Sequence, residues 1–276
     1  MMKLAINYSS AADGLARDGL LPVDLFKCPS PFDTDVSVHM PDLLERARGT
    51  RPVYVHFPLF AGNGSLRDVD WDGIESVLAE TATPYVNLHL ETRSADFPGV
   101  PVDTTDPAHQ EQIAEALIAD VALAVARLGA ERVIVENVVA RGSVLRPCIE
   151  PGVIARVVEE TRCGLLLDTA HVRLTAEELG FDARAYIAAL PLRQLRELHV
   201  TGAQPHEGGR LRDSMPMGAQ DWDLLEYVLA KIQGGRAAEP WCMALEYGGV
   251  GPGFDWRSDP QIIAEQTSRL RRFVKT

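Results

Sequence analysis

The side chains of this sequence that are best suited to binding metals stand where short apolar runs end. Six runs end in or next to a histidine or an acid, namely His56, His89, Glu136, Asp168, His199 and Glu246. His171 follows the fourth of these residues closely, and Asp213 lies in the segment after the fifth. Imidazole nitrogens and carboxylate oxygens are ligands that Zn²⁺, Mn²⁺ and Fe²⁺ take in proteins. The pattern therefore predicts a divalent metal centre, provided that the fold brings these side chains together.

Eight β-rich apolar runs alternate with segments of helical periodicity. We predict strands at residues 4–8, 23–27, 53–57, 85–90, 132–136, 164–168, 195–200 and 243–247. Apolar residues near i, i+3 and i+4 predict helices at residues 40–48, 71–80, 110–128, 151–161, 183–190, 221–232 and 261–273. Such alternation is typical of a parallel sheet with crossover helices. Residues 91–106 lack either pattern, which indicates a long loop over one face of the sheet.

Eight strand–helix units in 276 residues predict one α/β domain over residues 1–276, a (β/α)8 TIM barrel. A doubly wound open sheet is the alternative, but no GxGxxG turn follows the first predicted strand. In a barrel, the carboxyl ends of all strands face the same side, so the eight candidate ligands would meet in one cavity. Carboxylates buried together need compensating cations. A cluster of divalent ions would supply them.

A single histidine at a strand end is more often an ordinary polar group than a ligand. Four of the seven histidines share this position, however, whereas His39, His109 and His206 fall in helix starts or loops. The joint pattern therefore favours metal binding.

Three further residues are candidates for contact with a substrate. Lys27, at the end of the second predicted strand, could bind an anionic group or form an ion pair that lines the barrel. Asn137, next to Glu136, could orient a carboxylate or touch the substrate, because metal ligands need hydrogen-bonding neighbours. His206 lies in a predicted loop near the barrel mouth, where a substrate contact is an alternative to a plain loop position.

Composition limits the classes of partner and the compartment. The chain has 27 Lys and Arg against 39 Asp and Glu, a formal charge of −12, which disfavours nucleic acid as a partner. No long apolar stretch predicts a membrane span, and the first residues do not resemble a signal peptide. The four cysteines form no CxxC pair. We therefore expect a cytoplasmic protein without disulfides or membrane contact.

The order of the candidate ligands resembles that of the xylose-isomerase-like barrel superfamily. Several strings are similar to those of the multinuclear non-haem iron-dependent oxidases within it, a family formerly known only as a domain of unknown function. These strings lie at residues 135–138, 164–171 and 197–202, and at Asp213 with residues 221–227. The resemblance extends from about Val53 to Glu246 and is weaker at both ends.

This resemblance implies two to three divalent ions, iron first and Mn, Zn or Mg as alternatives, and an oxidoreductase. Such an enzyme uses O2 to modify a cysteine-containing peptide or a small molecule, and a partner protein presents the peptide. One ion would be held by His56, His89 and Glu136, and its neighbour by Glu136, Asp168, His199 and Glu246. His171 and Asp213 would face a third ion. At that position the family has an acid, one residue and a histidine, whereas this chain has Asp213-Ser214-Met215. A thioether is a poor ligand for these ions, so the third position is altered.

Two other activities occur in the same superfamily. Glu136, Asp168, His199 and Glu246 also match the single-metal site of sugar isomerases and epimerases, where a glutamate moves a proton, which makes Glu136 and Glu246 the candidate catalytic residues. That chemistry does not need the three remaining histidines. Phosphodiester cleavage, as in endonuclease four, needs three metals and a basic surface, so Met215 and the charge of −12 argue against it. A binding protein without catalysis is the least favoured alternative, and the sequence does not predict an oligomeric state.

Overall fold

The structure is a computed structural model that describes residues 1–32, 42–206, 209–251 and 254–274. Its main sheet has nine parallel strands in the order β3-β2-β1-β11-β8-β7-β6-β5-β4. These strands are β1 (Lys3–Asn7), β2 (Leu25–Pro29), β3 (Val53–His56), β4 (Phe60–Ala61), β5 (Val86–Leu90), β6 (Val133–Glu136), β7 (Gly164–Asp168), β8 (Leu195–Val200) and β11 (Cys242–Leu245). The short β9 (Gly202–Pro205) and β10 (Leu211–Met215) form a separate antiparallel hairpin. The curled sheet with its outer helices confirms the predicted TIM barrel, and each of the eight predicted strands is present.

Nine α-helices connect these strands in the described residues. They are α1 (Ser10–Arg17), α2 (Leu43–Arg48), α3 (Trp71–Glu80), α4 (Pro107–Leu128), α5 (Pro151–Thr161), α6 (Thr169–Leu179), α7 (Ala183–Ala189), α8 (Ala219–Gln233) and α9 (Pro260–Arg271). Seven correspond to predicted helices with shifted ends; residues 40 and 41 of the first prediction, and His39, lie outside the described residues. None of the described helices has both the length and the apolar character needed to cross a membrane. The division of the chain into domains stays a prediction.

Strands of the barrel are apolar on both faces because helices cover one face and the packed interior covers the other. All residues of β7 and β11 are buried, and only the ends of β1 are partly exposed. This explains why the strands appear in the sequence as continuous apolar runs rather than as alternating patterns. A polar residue that interrupts such a run faces the barrel interior or its mouth, and these interruptions form the site.

The barrel is closed between β3 and β5 by separate hydrogen bonds, several of them from side chains, rather than by a strand ladder. Asn87 Oδ1 accepts a hydrogen bond from Phe57 N at 2.7 Å, and Asn87 Nδ2 donates to Phe57 O at 3.0 Å. Thr83 Oγ1 accepts from Val55 N at 2.9 Å. Asn87 Nδ2 also lies 3.0 Å from His56 Nε2. The same amide therefore closes the barrel and contacts the ring of His56, the first candidate ligand.

Helices α1 and α6 and the hairpin of β9 and β10 were not predicted from the sequence. Helix α6 begins directly after Asp168, whose Oδ1 accepts a hydrogen bond from His171 N at 2.8 Å as an N-cap. Some buried positions of this helix hold threonine, so its sequence lacks a regular apolar pattern at i, i+3 and i+4. The backbone of the hairpin passes so close to Pro216 at Gly202 that a Cβ there would collide with the carbonyl oxygen of Pro216, so this position requires glycine. Helix α6 and the hairpin lie at the carboxyl ends of the strands, on the same side as the candidate ligands.

Candidate metal centre

The structure brings all eight candidate ligands to one side of the barrel. Strand register places His89 beside Glu136 and Asp168 beside His199. Six of the eight side chains stand at or directly after the ends of barrel strands, as the sequence predicts. The other two are supplied by new elements, His171 by the first turn of α6 and Asp213 by β10.

Glu136 lies at the centre of the cluster and is only 2% exposed. Its Oε2 is 3.5 Å from His56 Nε2 and 3.3 Å from His89 Nε2. Its other oxygen, Oε1, is 3.5 Å from His171 Nδ1 and 4.0 Å from His199 Nδ1. The two oxygens of one carboxylate thus face different imidazoles, an arrangement that suits a carboxylate shared by two cations.

The second half of the cluster is more acidic. His171 Nε2 lies 3.8 Å from Asp168 Oδ2 and 3.7 Å from Asp213 Oδ2. Burial disfavours the charged form of His171, but Asp168, Asp213 and Glu136 outweigh it and raise its pKa to about 10. Burial and the neighbouring Glu136 carboxylate raise the pKa of Asp168, against the attraction of His171. Without a metal, the proton on His171 therefore compensates part of the acidic charge.

His199 shows how a neighbouring group selects which ring nitrogen faces the cluster. Its Nε2 lies 2.8 Å from the buried Oε1 of Glu197, which accepts the ring N–H, so Nδ1 is left as an acceptor toward the acids. Burial and the Lys27 ammonium hold the pKa of His199 well below its usual value, so the ring is neutral. Glu197 was not predicted from the sequence. Its position two residues before His199 on a strand was the available indication, because such residues share a face.

Backbone carbonyls orient two other imidazoles in the same way. His89 Nδ1 is 3.1 Å from Leu59 O, and His171 Nδ1 is 2.8 Å from Asn137 O. Each Nδ1–H therefore donates to the backbone, and each Nε2 is directed toward carboxylates. Metal-binding histidines typically have such partners on the second nitrogen.

The three residues proposed for substrate contact fall in different places. Asn137 is fully buried, and its amide bonds the backbone of Asp168 at 2.9 and 3.0 Å, which fits the orienting role better than a substrate contact. Lys27 lies in the middle of β2 rather than at its end, because the strand extends to Pro29, and it pairs with Glu246. The ring of His206 stacks on Trp256 at 5.2 Å, outside the cluster.

Asp213 and Met215 lie on the hairpin strand β10. Ser214 between them has a left-handed φ of 53°, and the β10 register is irregular between Arg212 and Met215. Burial would raise the pKa of Asp213, but its bond with His171 and the nearby guanidinium groups lower it. Asp213 is thus ionised beside His171, with a thioether where the resemblance implies a third imidazole.

Buried polar atoms without partners show that the cluster fits divalent cations. In the described part of the chain, Glu136 Oε2, Asp168 Oδ2 and His199 Nδ1 are buried and have no hydrogen-bond partner. Three overlapping groups bring ligand atoms within 4.8 Å of one another: His56 with Glu136 and His199, Glu136 with Asp168 and His171, and Asp168 with His199 and Glu246. Such orphaned atoms are costly unless they coordinate a cation.

A cavity of about 250 Å³ adjoins the half of the cluster that carries His56 and His89. Its lining is largely apolar or aromatic and includes Tyr8, Cys28, Pro29, Pro58, Phe60, Val250 and Phe254, with Asn7, Lys27, His56 and His89 as polar members. Its size fits a side chain or a small molecule.

Comparisons of fold show similarity to sugar-metabolising barrels. The 3-keto-D-glucoside 4-epimerase from E. coli matches with a TM-score of 0.58 at 11% identity, over 99% of this chain and 100% of that chain. D-psicose 3-epimerase matches with a TM-score of 0.55 at 13% identity, over 99% of both chains. A xylose isomerase domain protein from Salmonella typhimurium gives 0.55 at 14% identity, over 99% of this chain and 98% of that chain. At these identities the likeness shows the TIM-barrel fold.

Comparisons of sequence show the family. A UPF0276 protein of Rhizorhabdus wittichii is 30% identical over 198 residues, 69% of each chain. A UPF0276 protein of Bordetella pertussis is 43% identical over 83 residues, 28% of this chain and 29% of that protein. The family model described as “RiPP precursor modification enzyme MbnB/TglH/ChrH” matches residues 40–239, which contain every candidate ligand except Glu246. The chain therefore belongs to the MbnB/TglH/ChrH family of RiPP precursor modification enzymes.

Proposed function

We propose that this protein is a multinuclear non-haem iron enzyme that uses O2 to modify a cysteine-containing peptide. The observation that carries the proposal is the position of Glu136, whose Oε2 lies near Nε2 of His56 and His89 and whose Oε1 lies near Nδ1 of His199. Family membership supports a peptide as the substrate class. When bound, the iron ions would provide a binding position for the substrate thiolate and electrons for the reduction of O2.

The candidate ligands divide between two positions that share Glu136. His56 and His89 lie near Oε2 and His199 lies near Oε1, and Asp168 shares a possible ligand group with His199 and Glu246. A single-metal epimerase needs neither His56 nor His89. Their convergence on one buried carboxylate oxygen therefore favours the multinuclear site.

The cavity next to His56 and His89 supports a peptide over a sugar. Its aromatic and aliphatic lining can hold an apolar side chain and exclude water, whereas a sugar needs many hydrogen-bonding groups. The polar residues of the cavity are Asn7, Lys27, His56 and His89. In this proposal the chain binds the residue next to the cysteine in the cavity and so directs the thiol toward the His56 side of the centre.

The reacting thiol belongs to the substrate rather than to this chain. All four cysteines of the chain are buried. Burial raises the pKa of Cys28, the cysteine that lines the cavity, so this thiol stays protonated and is a weak ligand. The cysteine of a bound peptide is not buried in the protein core, so its thiol is free to lose its proton and bind the metal.

The test is metal analysis and O2 consumption on one preparation. Protein purified without oxygen and loaded with Fe²⁺ is mixed with short peptides that place a cysteine beside Phe or Leu, and with matched serine peptides. We expect two iron ions per chain, O2 consumption only with cysteine peptides, and a mass change in the peptide. One Mn²⁺ or Mg²⁺ per chain together with turnover of a ketose would overturn the proposal in favour of a sugar epimerase.

A further inference from the structure

A lysine ammonium stands among the acids of the centre, in addition to the protonated His171. Lys27 is 6% exposed, and its Nζ is paired with Oε1 of Glu246, the residue that follows β11. Strand β2 pairs with β1 and β1 pairs with β11, so the ammonium reaches across one intervening strand to this carboxylate. The pair joins residues 219 positions apart and depends on the barrel.

The oxygen that Lys27 holds also faces a candidate metal position. Glu246 Oε1 lies 3.0 Å from His199 Nδ1, and Asp168, His199 and Glu246 form one of the groups that could hold an ion. An ammonium and a divalent cation that contact the same carboxylate oxygen repel each other at short range. Binding of an ion here must therefore displace Lys27 or tolerate its charge.

Two other acids of the centre differ from Glu246 in this respect. Glu136 Oε2 and Asp168 Oδ2 are buried without a hydrogen-bond partner among the described residues. Their positions are open to a cation, whereas the corresponding oxygen of Glu246 is already neutralised by the chain. The structure thus distinguishes this metal position by a lysine that pairs directly with one of its ligand oxygens.

We propose that Lys27 competes with the metal for Glu246 and makes the ion at Asp168, His199 and Glu246 the more weakly held of the two proposed ions. Lys27 is a positioning residue in this scheme, because it acts on the metal through Glu246. The inference rests on the proposed function in one respect, since it requires that the cluster bind divalent ions.

The test is a titration of the metal-free protein with Zn²⁺ in competition with a chromophoric chelator, which needs no activity. Lys27→Met should tighten the weakest site by about tenfold or more, the scale on which groups around metal ligands act. Lys27→Arg retains the charge and should behave like the wild type. In a Glu246→Gln background, Lys27→Met should no longer change the affinity, because its effect passes through Glu246.

Thermal unfolding of the same variants shows whether they fold. Lys27→Met leaves Glu246 uncompensated, so its metal-free form should melt at a lower temperature and gain more from saturating Zn²⁺ than the wild type. Lys27→Gln, which can still donate a hydrogen bond, is the second variant and should tighten the weakest site in the same direction.

The failures of the two proposals are distinguishable. An unchanged or weakened Zn²⁺ affinity in folded Lys27→Met and Lys27→Gln would overturn the role of Lys27. Equal tightening by Lys27→Met in the Glu246→Gln background would overturn it as well, because the effect would then be general. A wild-type protein that binds no divalent ion would instead contradict the metal centre itself.

Discussion

Substituting Glu197 by glutamine changes one buried charge and leaves the shape of the side chain intact. In the wild type, Glu197 Oε1 accepts the Nε2–H of His199 at 2.8 Å and leaves Nδ1 directed at the acids. The glutamine oxygen can still accept this hydrogen bond, but without a negative charge the imidazole is a weaker ligand. Changes to such partners typically weaken metal binding by about 10- to 100-fold, or about 1–3 kcal/mol.

The same substitution has the opposite effect on the metal-free fold. Burial raises the pKa of Glu197 from 4.5 to about 7, although the Lys27 ammonium opposes the shift. A carboxyl whose pKa is raised by folding binds protons more tightly in the folded state, so its contribution to stability falls as the pH rises between these two values. Each pKa unit corresponds to about 1.4 kcal/mol, so ionised Glu197 costs the metal-free protein about 3 kcal/mol above neutral pH.

Glu197→Gln should therefore unfold at higher urea concentration than the wild type at about pH 8 without metal, and the difference should nearly vanish toward pH 4.5. It should also bind Zn²⁺ about 10- to 100-fold more weakly. Glu177→Gln, an exposed change on α6, should alter neither quantity measurably. A variant that loses stability equally at both pH values, or binds Zn²⁺ with unchanged affinity, would refute this reasoning.

Three further changes test separate parts of the account. Glu136→Ala should remove most bound metal in elemental analysis, whereas exposed Glu159→Ala should remove none; undiminished metal would contradict a shared carboxylate. Asn87→Ala deletes both hydrogen bonds to Phe57, so two buried backbone groups lose their partners. Urea titrations should show a free energy of unfolding that is lower by about 2–5 kcal/mol. A cost below about 0.5 kcal/mol would show that the barrel closes without this amide. Met215→His should add one ion per chain beside Asp213, with Met215→Leu as the control; an unchanged count would show that the hairpin does not direct this residue at the centre.

The barrel and the identity of the cluster could be predicted because both depend on local patterns. Each buried strand is a continuous apolar run, and the polar residue that ends it is visible in the sequence. Parallel strands then align these ends without further information. His56 and Glu136 could be placed together in this way although 80 residues separate them in the sequence.

What the sequence did not reveal depends on register and on short elements. The pairing of Lys27 with Glu246 follows from β2 extending to Pro29, which puts the lysine inside the barrel instead of at its rim. Helix α6 was not predicted because its first turn is capped by Asp168 and its sequence has no regular apolar stripe. The role of Glu197 appears only when its strand face is known, because an isolated glutamate in an apolar run has no obvious partner.

The central claim is that Glu136 is shared by two metal ions. Crystals grown without oxygen from iron-loaded protein, with anomalous diffraction measured at the iron edge, test it most directly. The account predicts two iron peaks, one touching Glu136 Oε2 beside His56 and His89 and the other touching Oε1 on the His199 side. A single peak held by Asp168, His199 and Glu246, with none beside His56 and His89, would contradict it.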